Sequence, residues 1–166
     1  MNAIWIVGFM GAGKSTVGKA LARRLGWTFV DLDDEIEAAA GASIAGIFAQ
    51  RGEPAFRALE TEALRRLIAR PGDFVIALGG GAFTIEANRG LLRGHGTSVW
   101  LDCPFELVQR RVAQETQRPL ARDPVRFAEL YRTRRESYAL ADLHIPIACD
   151  DPEPAVDAIL AQVRSE

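Results

Sequence analysis

The sequence predicts a three-layer α/β fold in which helices flank a five-stranded, parallel sheet. The first observation is that short apolar runs alternate with helical patterns along the chain, as they do when helices connect parallel strands. The second is that the run at 74–78 is continuously apolar, which is typical of a strand buried on both faces. The third is that the run at 3–7 passes directly into a glycine-rich turn and a helix. With 166 residues, the chain is expected to form one domain over 1–166.

Composition argues against several classes of function. The formal net charge is −2, so the chain has no overall electrostatic attraction for nucleic acid or an anionic membrane surface. The apolar run near the N-terminus is too short for a signal peptide or a membrane span, and we therefore expect a cytoplasmic protein. Cys103 and Cys149 are far apart and form no metal or redox motif. We expect both to be reduced and partly buried.

The stretch Gly8–Ser15 is the most specific short motif and reads G-x-x-x-x-G-K-S. A bound phosphate must be met by backbone N–H groups and a helix N-terminus, so the glycines keep bulky side chains away from the turn. Lys14 supplies a point charge to the phosphates, and the Ser15 hydroxyl is a suitable ligand for Mg²⁺. A coincidental glycine-rich turn is the alternative, and the flanking strand and helix disfavour it. The motif predicts nucleotide binding.

The first half of the chain contains two strands and a long helical region. We predict a helix at 14–25 ended by Gly26, a strand at 28–31, helices at 34–40 and 43–48 with Ser43 as the cap of the second, and a further helix that opens at 52–54. The strand at 28–31 ends in acidic residues, which are expected near the phosphate loop because ligands collect at the carboxyl ends of parallel strands. The helical region is longer than a crossover needs, and we predict a substrate-binding subdomain at about 32–60.

The second half begins with the strand at 74–78, which ends in three consecutive glycines at 79–81. Such a run indicates close approach by a ligand or another backbone. The elements that follow are predicted as a helix from its cap Thr84 to Leu92, a strand at 97–102, a helix from Pro104, a helix at 125–138, a strand at 143–147 and a helix at 154–163. Pro146 places the last strand at a sheet edge, or itself lies near the end of that strand. Two prolines interrupt the polar segment at 114–124, and we predict a mobile lid at about 113–124.

A phosphate loop alone does not separate kinases from GTPases, ATPases or proteins that only bind nucleotides. The chain has no Asp-x-x-Gly switch motif and no Asn-Lys-x-Asp guanine-binding motif, which argues against a GTPase. The small size of the chain and the predicted lid favour a transferase that excludes water from a phosphoryl acceptor.

Several motifs, taken together, resemble shikimate kinase. They occur in the family's order from the first strand to about residue 148: Gly11-Ala12-Gly13-Lys14-Ser15-Thr16-Val17-Gly18, Asp31-Leu32-Asp33, Gly52-Glu53-Pro54-Ala55-Phe56-Arg57 with Glu60, Gly79-Gly80-Gly81, Arg118-Pro119-Leu120, and Arg134 with Tyr138. The resemblance implies a P-loop nucleoside monophosphate kinase-like fold with strand order 2-3-1-4-5. It implies ATP- and Mg²⁺-dependent phosphorylation of the 3-hydroxyl of shikimate, giving shikimate 3-phosphate and ADP on the route to chorismate and the aromatic amino acids. The resemblance, together with the absence of an obvious sticky helix, favours a monomer, and the net charge predicts that the protein binds neither nucleic acid nor membrane.

On the ATP side the resemblance implies contacts from Gly11, Ala12, Gly13, Lys14, Ser15, Thr16, Arg111 and Arg118. Ser15 and, through water, Asp31 would hold Mg²⁺; a solvated carboxylate at a strand end is the alternative for Asp31. Arg118 would close over the phosphates and act in catalysis with Lys14, as an arginine finger does; without the resemblance it is an ordinary loop arginine. Arg111 would stack on adenine, with residues 150–152 on the other side of the base.

On the acceptor side, Asp33 would accept hydrogen bonds from the substrate hydroxyls and orient or deprotonate the attacking one, so it is the third expected catalytic residue. Its alternative role is to cap the following helix. Arg57 and Arg134 would bind the shikimate carboxylate, because a planar guanidinium matches a carboxylate through two hydrogen bonds; taken singly, each is an ordinary solvated helix residue. Gly79, Gly80 and Gly81 would let the backbone approach the substrate, with Gly80 as the direct donor. A tight turn without ligand is the alternative.

A few positions depart from the family pattern or have more than one interpretation. Leu32 and Phe83 stand where the family commonly has a small hydroxyl residue and a smaller aliphatic residue, and we expect Phe83 to reshape the pocket wall. Asp102, at a strand end, is a candidate Walker B acid, but the family places its metal-side acid at the position of Asp31. His95 and His144 lack partners at metal-ligand spacing and are expected to be structural.

Two other functions remain open at the level of sequence. Gluconate kinase and nucleoside monophosphate kinases are the nearest enzymes, but they lack the combined set of Asp33, Phe56-Arg57, Gly79-Gly80-Gly81 and Arg134. A nonenzymatic nucleotide-binding module is the alternative from a different class, and such a module would have no need of Asp33 or Arg57.

Overall fold

The computed structural model describes residues 2–114 and 123–163. The strands of this part of the chain form one sheet with the order β2-β3-β1-β4-β5, and every neighbouring pair is parallel. The strands are β1 (Ala3–Val7), β2 (Thr28–Asp31), β3 (Phe74–Ala77), β4 (Thr97–Asp102) and β5 (Leu143–Pro146). All five residues of the central strand β1 are buried, as expected for a strand covered by helices on both faces. The predicted sheet and its order 2-3-1-4-5 are confirmed.

Helices cover the sheet at positions close to those predicted. They are α1 (Lys14–Leu25), α2 (Leu32–Ala40), α3 (Ile44–Ala69), α4 (Glu86–Leu92), α5 (Phe105–Ala113), α6 (Pro124–Tyr138) and α7 (Glu153–Val163). Gly26 ends α1 in a left-handed conformation, as predicted. No helix within 2–114 or 123–163 is both long and apolar enough to cross a membrane. Most of the predicted lid, at 115–122, lies outside the described residues.

Helix α3 is bent where the sequence predicts a new helix. Gly52 has φ 79° and ψ 173°, a conformation that breaks the helical path, and Pro54 follows in the first turn of the second arm. The first arm is capped by Ser43, whose Oγ accepts a hydrogen bond from the Gly46 amide at 3.0 Å. The bend separates the first arm from the second, which carries Arg57 to the carboxyl edge of the sheet.

Two local predictions are wrong. Thr84 does not cap a helix, because residues Ala82–Thr84 form a 3₁₀ turn and the Thr84 hydroxyl donates back to the Gly81 carbonyl at 2.6 Å. Helix α4 therefore begins later, at Glu86. The two cysteines are free, but neither is partly buried: Cys103 is buried at the end of β4, whereas Cys149 is exposed in the loop after β5.

The parallel sheet fixes where a site can form. The carboxyl ends of β1, β2 and β3 lie side by side, so the phosphate loop, the acidic residues after β2 and the glycine run after β3 meet at one edge. β5 occupies an outer position of the sheet and Pro146 is its last residue, so both positions that were predicted for this proline are found.

Candidate active site

A cavity of about 1140 Å³ opens at the carboxyl edge of the sheet. Lys14 and Ser15 of the phosphate loop line one part of it, and Asp33 and Gly80 line another. The predicted ATP side and part of the predicted acceptor side therefore share one space, which is the arrangement that direct transfer between two bound substrates requires.

The phosphate loop presents backbone and charge to this cavity. Gly13 stands at the N-cap of α1 with φ 92° and ψ 21°, a left-handed conformation that favours glycine, and no side chain caps the helix. The first N–H groups of α1 are therefore available to an anion. The ammonium of Lys14 donates to the carbonyl oxygens of Gly8 and Phe9 at 2.9 and 3.0 Å, so it lies against the loop that it is predicted to serve.

The two carboxylate oxygens of Asp31 accept hydrogen bonds from different residues. Oδ2 accepts a hydrogen bond from the Ser15 hydroxyl at 2.9 Å, and Oδ1 accepts one from the Asp33 amide at 3.0 Å. The second contact makes Asp31 the N-cap of α2, so the alternative in which Asp33 caps this helix is wrong. The Asp33 side chain is thereby left on the first turn of α2, beside the cavity.

The Asp33 carboxyl is half-buried, and its environment disfavours ionisation. Burial raises the pKa of Asp33 above its ordinary value, the neighbouring Asp31 carboxylate adds to the rise, and the Lys14 ammonium opposes it. Carboxyl groups with this combination of burial, a like charge and a nearby cation are frequent at functional sites.

The glycine run contacts the three side chains predicted for the acceptor. A Cβ added to Gly79 would stand 3.0 Å from Oδ1 of Asp33, and one added to Gly80 would stand 3.0 Å from Nη1 of Arg134. A Cβ on Gly81 would overlap the guanidinium of Arg57. Helices α2, α3 and α6 thus bring Asp33, Arg57 and Arg134 to three consecutive glycines. This convergence disfavours the alternative of a turn without ligand.

Glu60 holds Arg57 in place. The sequence includes Glu60 in a motif but predicts no role for it. Its Oε1 accepts a hydrogen bond from Nη1 of Arg57 at 2.9 Å, while Oε2 has no hydrogen-bond partner among the described residues. The side chain is fully buried, and this burial raises the pKa of Glu60 although Arg57 opposes the rise. The i,i+3 spacing on one helix is the sequence signal for this pair.

Arg111 links the phosphate loop to the loop predicted to flank adenine. Its Nη1 donates to the Gly11 carbonyl at 2.9 Å, its Nε donates to Oδ1 of Asp150 at 3.1 Å, and its Nη2 donates to the Cys149 carbonyl at 3.2 Å. Arg111 and residues 149–152 all line the cavity. Stacking of Arg111 on a base stays a prediction, and Arg118 lies outside the described residues.

Asp102 has partners that occupy its carboxylate away from this cavity. It forms a two-point ion pair with Arg135 and accepts from Nε2 of His144 at 2.8 Å, and His144 also stacks on Trp100 at 4.2 Å. These contacts support a structural role for both Asp102 and His144. His95 lies outside the cavity too, where its Nδ1 is 3.0 Å from the Leu91 carbonyl.

The two departures from the family pattern lie in the core. Leu32 is fully buried, and Phe83 is 3% exposed and does not line the large cavity. Phe83 instead borders a separate cavity of about 240 Å³ together with Trp5 and Arg89. Phe83 is directed into the core by the 3₁₀ turn that follows Gly81, and Arg57 and Arg134 do not line the large cavity either. An effect of Phe83 on the acceptor side therefore stays a prediction.

Substituting Gly81 by Ala tests the geometry of the glycine run. The backbone of Gly81, at φ −99° and ψ −15°, accepts a Cβ without strain, but the methyl group must displace the Arg57 guanidinium. We expect the KM for the acceptor to rise about tenfold, the loss of one charge-assisted contact, with the KM for ATP unchanged. Gly90→Ala is the matched control because a Cβ there meets nothing within 4 Å. A Gly81→Ala enzyme with wild-type kinetics would contradict the prediction that Arg57, in its position beside Gly81, binds the acceptor.

Comparisons with known proteins show the family of this chain. The family model described as shikimate kinase matches residues 10–164. A shikimate kinase of Caulobacter vibrioides is 46% identical over an alignment of 166 positions, and the alignment covers 98% of this chain and 82% of the relative.

Solved structures give the same result at the level of the fold and the family. A shikimate kinase from Acinetobacter baumannii, in complex with shikimate, superposes with a TM-score of 0.91 at 37% identity and covers 99% of this chain and 94% of its own. A gluconokinase from Sinorhizobium meliloti reaches only a TM-score of 0.59 at 18% identity, covering 99% of this chain and 92% of its own, and so shares the fold alone. The family match over nearly the whole length shows that this chain belongs to the shikimate kinase family.

Proposed function

We propose that this chain transfers the γ-phosphoryl group of ATP to the 3-hydroxyl of shikimate, giving shikimate 3-phosphate and ADP for aromatic amino acid biosynthesis. The observation that carries the proposal is the convergence of Asp33, Arg57 and Arg134 on one glycine run, next to a phosphate loop at the same sheet edge. One carboxylate and two guanidinium groups match an acceptor that has hydroxyls and a carboxylate. Membership of the shikimate kinase family supports the same substrate.

In this proposal the phosphate loop binds ATP through backbone N–H groups, with Lys14 neutralising charge on the β- and γ-phosphates. Ser15 and, through water, Asp31 would hold Mg²⁺, which would neutralise phosphate charge in the transition state. Their oxygens fit this ion, because Mg²⁺ takes oxygen ligands from one or two side chains, phosphates and water. Within the described residues no group of three or more His, Cys, Asp or Glu side chains forms a complete metal cage, which is consistent with such an open site.

On the acceptor side Arg57 and Arg134 bind the carboxylate of shikimate, and the Gly80 backbone contacts the substrate. Asp33 accepts a hydrogen bond from the 3-hydroxyl and aims it at the γ-phosphate, or takes its proton during transfer. Because the transition state for phosphoryl transfer is loose, the work of the protein is to align the acceptor and to neutralise charge. Arg111 and Arg118 complete the ATP side, the latter from the segment at about 113–124.

We infer that residues 1–166 act as one domain, in which the subdomain at about 32–60 supplies Asp33 and Arg57. We also infer a monomer in the cytoplasm. The large hydrophobic side chains exposed within 2–114 and 123–163 are Phe48, Val125 and Leu140, which lie on separate segments and do not form one stripe on one helix. The free cysteines suit a reducing compartment. Light scattering on the purified protein measures its mass in solution, and a dimer would overturn the inference of a monomer.

An ADP-release assay with several acceptors tests the proposed function. We expect shikimate to stimulate ADP release from MgATP by at least about 100-fold over the rate without acceptor, since alignment of the acceptor contributes on this scale. Gluconate, AMP and CMP serve as competing acceptors and are expected to leave the rate unchanged. Stimulation by one of these acceptors and not by shikimate would show that the chain is a kinase for that acceptor. ATP binding without stimulation by any acceptor would favour a nucleotide-binding module.

A further inference from the structure

Tyr138 lies at the C-terminal end of α6 and connects two parts of the acceptor site. Its ring is buried, and its hydroxyl donates a hydrogen bond to the Gly80 carbonyl. Arg134 lies one turn earlier on the same helix. The position of a Cβ on Gly80 is 3.0 Å from Nη1 of Arg134 and 3.7 Å from the Tyr138 hydroxyl, so both side chains meet the same glycine.

We propose that Tyr138 is a positioning residue for the acid substrate, because it fixes the Gly80 peptide and the Arg134 guanidinium relative to each other. The inference rests on the proposed function, in which both groups contact shikimate. Tyr138 itself is buried behind them and acts through them.

The three carbonyl groups of the glycine run differ in where their hydrogen-bond donors come from. The Gly79 carbonyl accepts from the Ala82 amide at 3.1 Å, and the Gly81 carbonyl accepts from the Thr84 amide at 3.1 Å. Both bonds are local to the turn. The Gly80 carbonyl instead takes its partner from α6, about 58 residues along the chain. A planar trans peptide points its C=O and N–H in opposite directions, so Tyr138 also sets the direction of the Gly81 amide.

The chemistry of the phenol suits this task. Burial raises the pKa of Tyr138, and the opposing charge of Arg134 does not reverse the rise, so the hydroxyl keeps its proton at neutral pH. A neutral hydroxyl has one donor and two acceptor positions. It donates to the Gly80 carbonyl, and Arg134 is the charged group that acts on it most strongly.

The same helix contains a matched arrangement that has no part in the acceptor site. The Tyr131 hydroxyl donates to the Cys103 carbonyl at 2.7 Å and accepts from Nη1 of Arg135 at 3.0 Å. This pair fastens α6 to the end of β4, where Arg135 also binds Asp102. Tyr131→Phe therefore removes a comparable hydroxyl from the same helix without touching Gly80 or Arg134.

The test compares Tyr138→Phe with Tyr131→Phe in the full-length enzyme. We expect Tyr138→Phe to raise the KM for shikimate, and its dissociation constant by calorimetry, about tenfold, because a hydrogen bond that orders two binding groups is lost. The KM for ATP should stay within about twofold of wild type. Tyr131→Phe should leave both KM values unchanged. Equal changes in the two KM values, or equal effects of the two variants, would show a merely structural role and overturn the inference.

Two further measurements keep the result interpretable. A thermal melt shows whether Tyr138→Phe is folded. If it is not, 3-fluorotyrosine incorporated in place of Tyr138 retains the ring and the hydroxyl, and its electron-withdrawing fluorine changes the strength of the hydroxyl's hydrogen bonds. An unchanged KM for shikimate in that protein would also overturn the inference. Wild-type enzyme that neither binds nor phosphorylates shikimate would overturn the proposed function and the inference with it, whereas active wild type with an unaffected Tyr138→Phe would overturn the inference alone.

Discussion

Asp33→Asn is expected to lower kcat by about 10²- to 10⁴-fold, the usual contribution of a positioned proton acceptor. The amide keeps the size of the side chain but cannot take a proton from the attacking hydroxyl. ATP affinity should stay within about twofold, because the phosphate loop is untouched. Steady-state kinetics together with nucleotide titration measures both quantities.

The same variant should be more stable than wild type at neutral pH. The pKa of Asp33 is raised above its ordinary value of 3.8, so the protonated form stabilises the fold at low pH. This contribution is lost as the pH rises through the raised pKa, and the ionised carboxylate then costs stability. Asparagine carries no charge, so its advantage should be present at pH 7 and shrink as the pH falls towards 3.8. Urea denaturation across this range measures the change.

Asp34→Asn provides the control for Asp33→Asn. Asp34 is the next residue of α2 and is exposed, so the control removes an identical charge outside the cavity. We expect it to leave kcat at the wild-type value. An ATP affinity that falls as far as kcat in Asp33→Asn would instead show that Asp33 supports the fold of the whole site.

Arg57→Ala is expected to impair both substrate binding and folding. The KM for shikimate should rise about 100-fold, since a charged partner of the carboxylate is lost. Stability should fall by about 2–4 kcal/mol at neutral pH, because the fully buried Glu60 carboxylate loses its cation. Kinetics and urea denaturation at pH 7 measure the two effects.

A double variant separates the two effects of Arg57. In Arg57→Ala/Glu60→Gln the buried charge is gone, so most of the lost stability should return. The high KM for shikimate should remain, because no guanidinium is restored. Arg66→Ala, an exposed arginine on the same helix, is the control and should change neither quantity. A double variant that regains the wild-type KM would remove Arg57 from the acceptor site.

Most of the fold could be predicted because its determinants are local. The apolar runs predict the strands, and Gly26, Ser43 and Gly52 act through the dihedral angles or caps of their own positions. The strand order 2-3-1-4-5 came from the resemblance to the family. The pattern of apolar residues identifies the strands but does not show which strands lie side by side. The Thr84 prediction was wrong for a related reason. A threonine that caps a helix and one that closes a 3₁₀ turn have the same local sequence.

The candidate site could be predicted only in part. The spacing G-x-x-x-x-G-K-S specified the phosphate loop, since all of its contacts come from one short stretch. The sequence did not show that Asp31, and not Asp33, caps α2, because either carboxylate satisfies the cap preference. It also gave no role to Glu60 or Tyr138, whose partners become apparent only when helices pack together.

The amino-acid sequence by itself determined the phosphate loop, the parallel α/β architecture and the residue types available for an acceptor. Only the tertiary structure decided which arginines meet the glycine run. Arg57 and Arg134 stand on helices far apart in the chain, and each is locally indistinguishable from a solvated arginine. Their convergence on Gly80 and Gly81 depends on how α3 and α6 pack at the carboxyl edge of the sheet. Helix packing depends on the whole core, whereas a sequence motif or the spacing of apolar residues depends only on a few neighbouring residues.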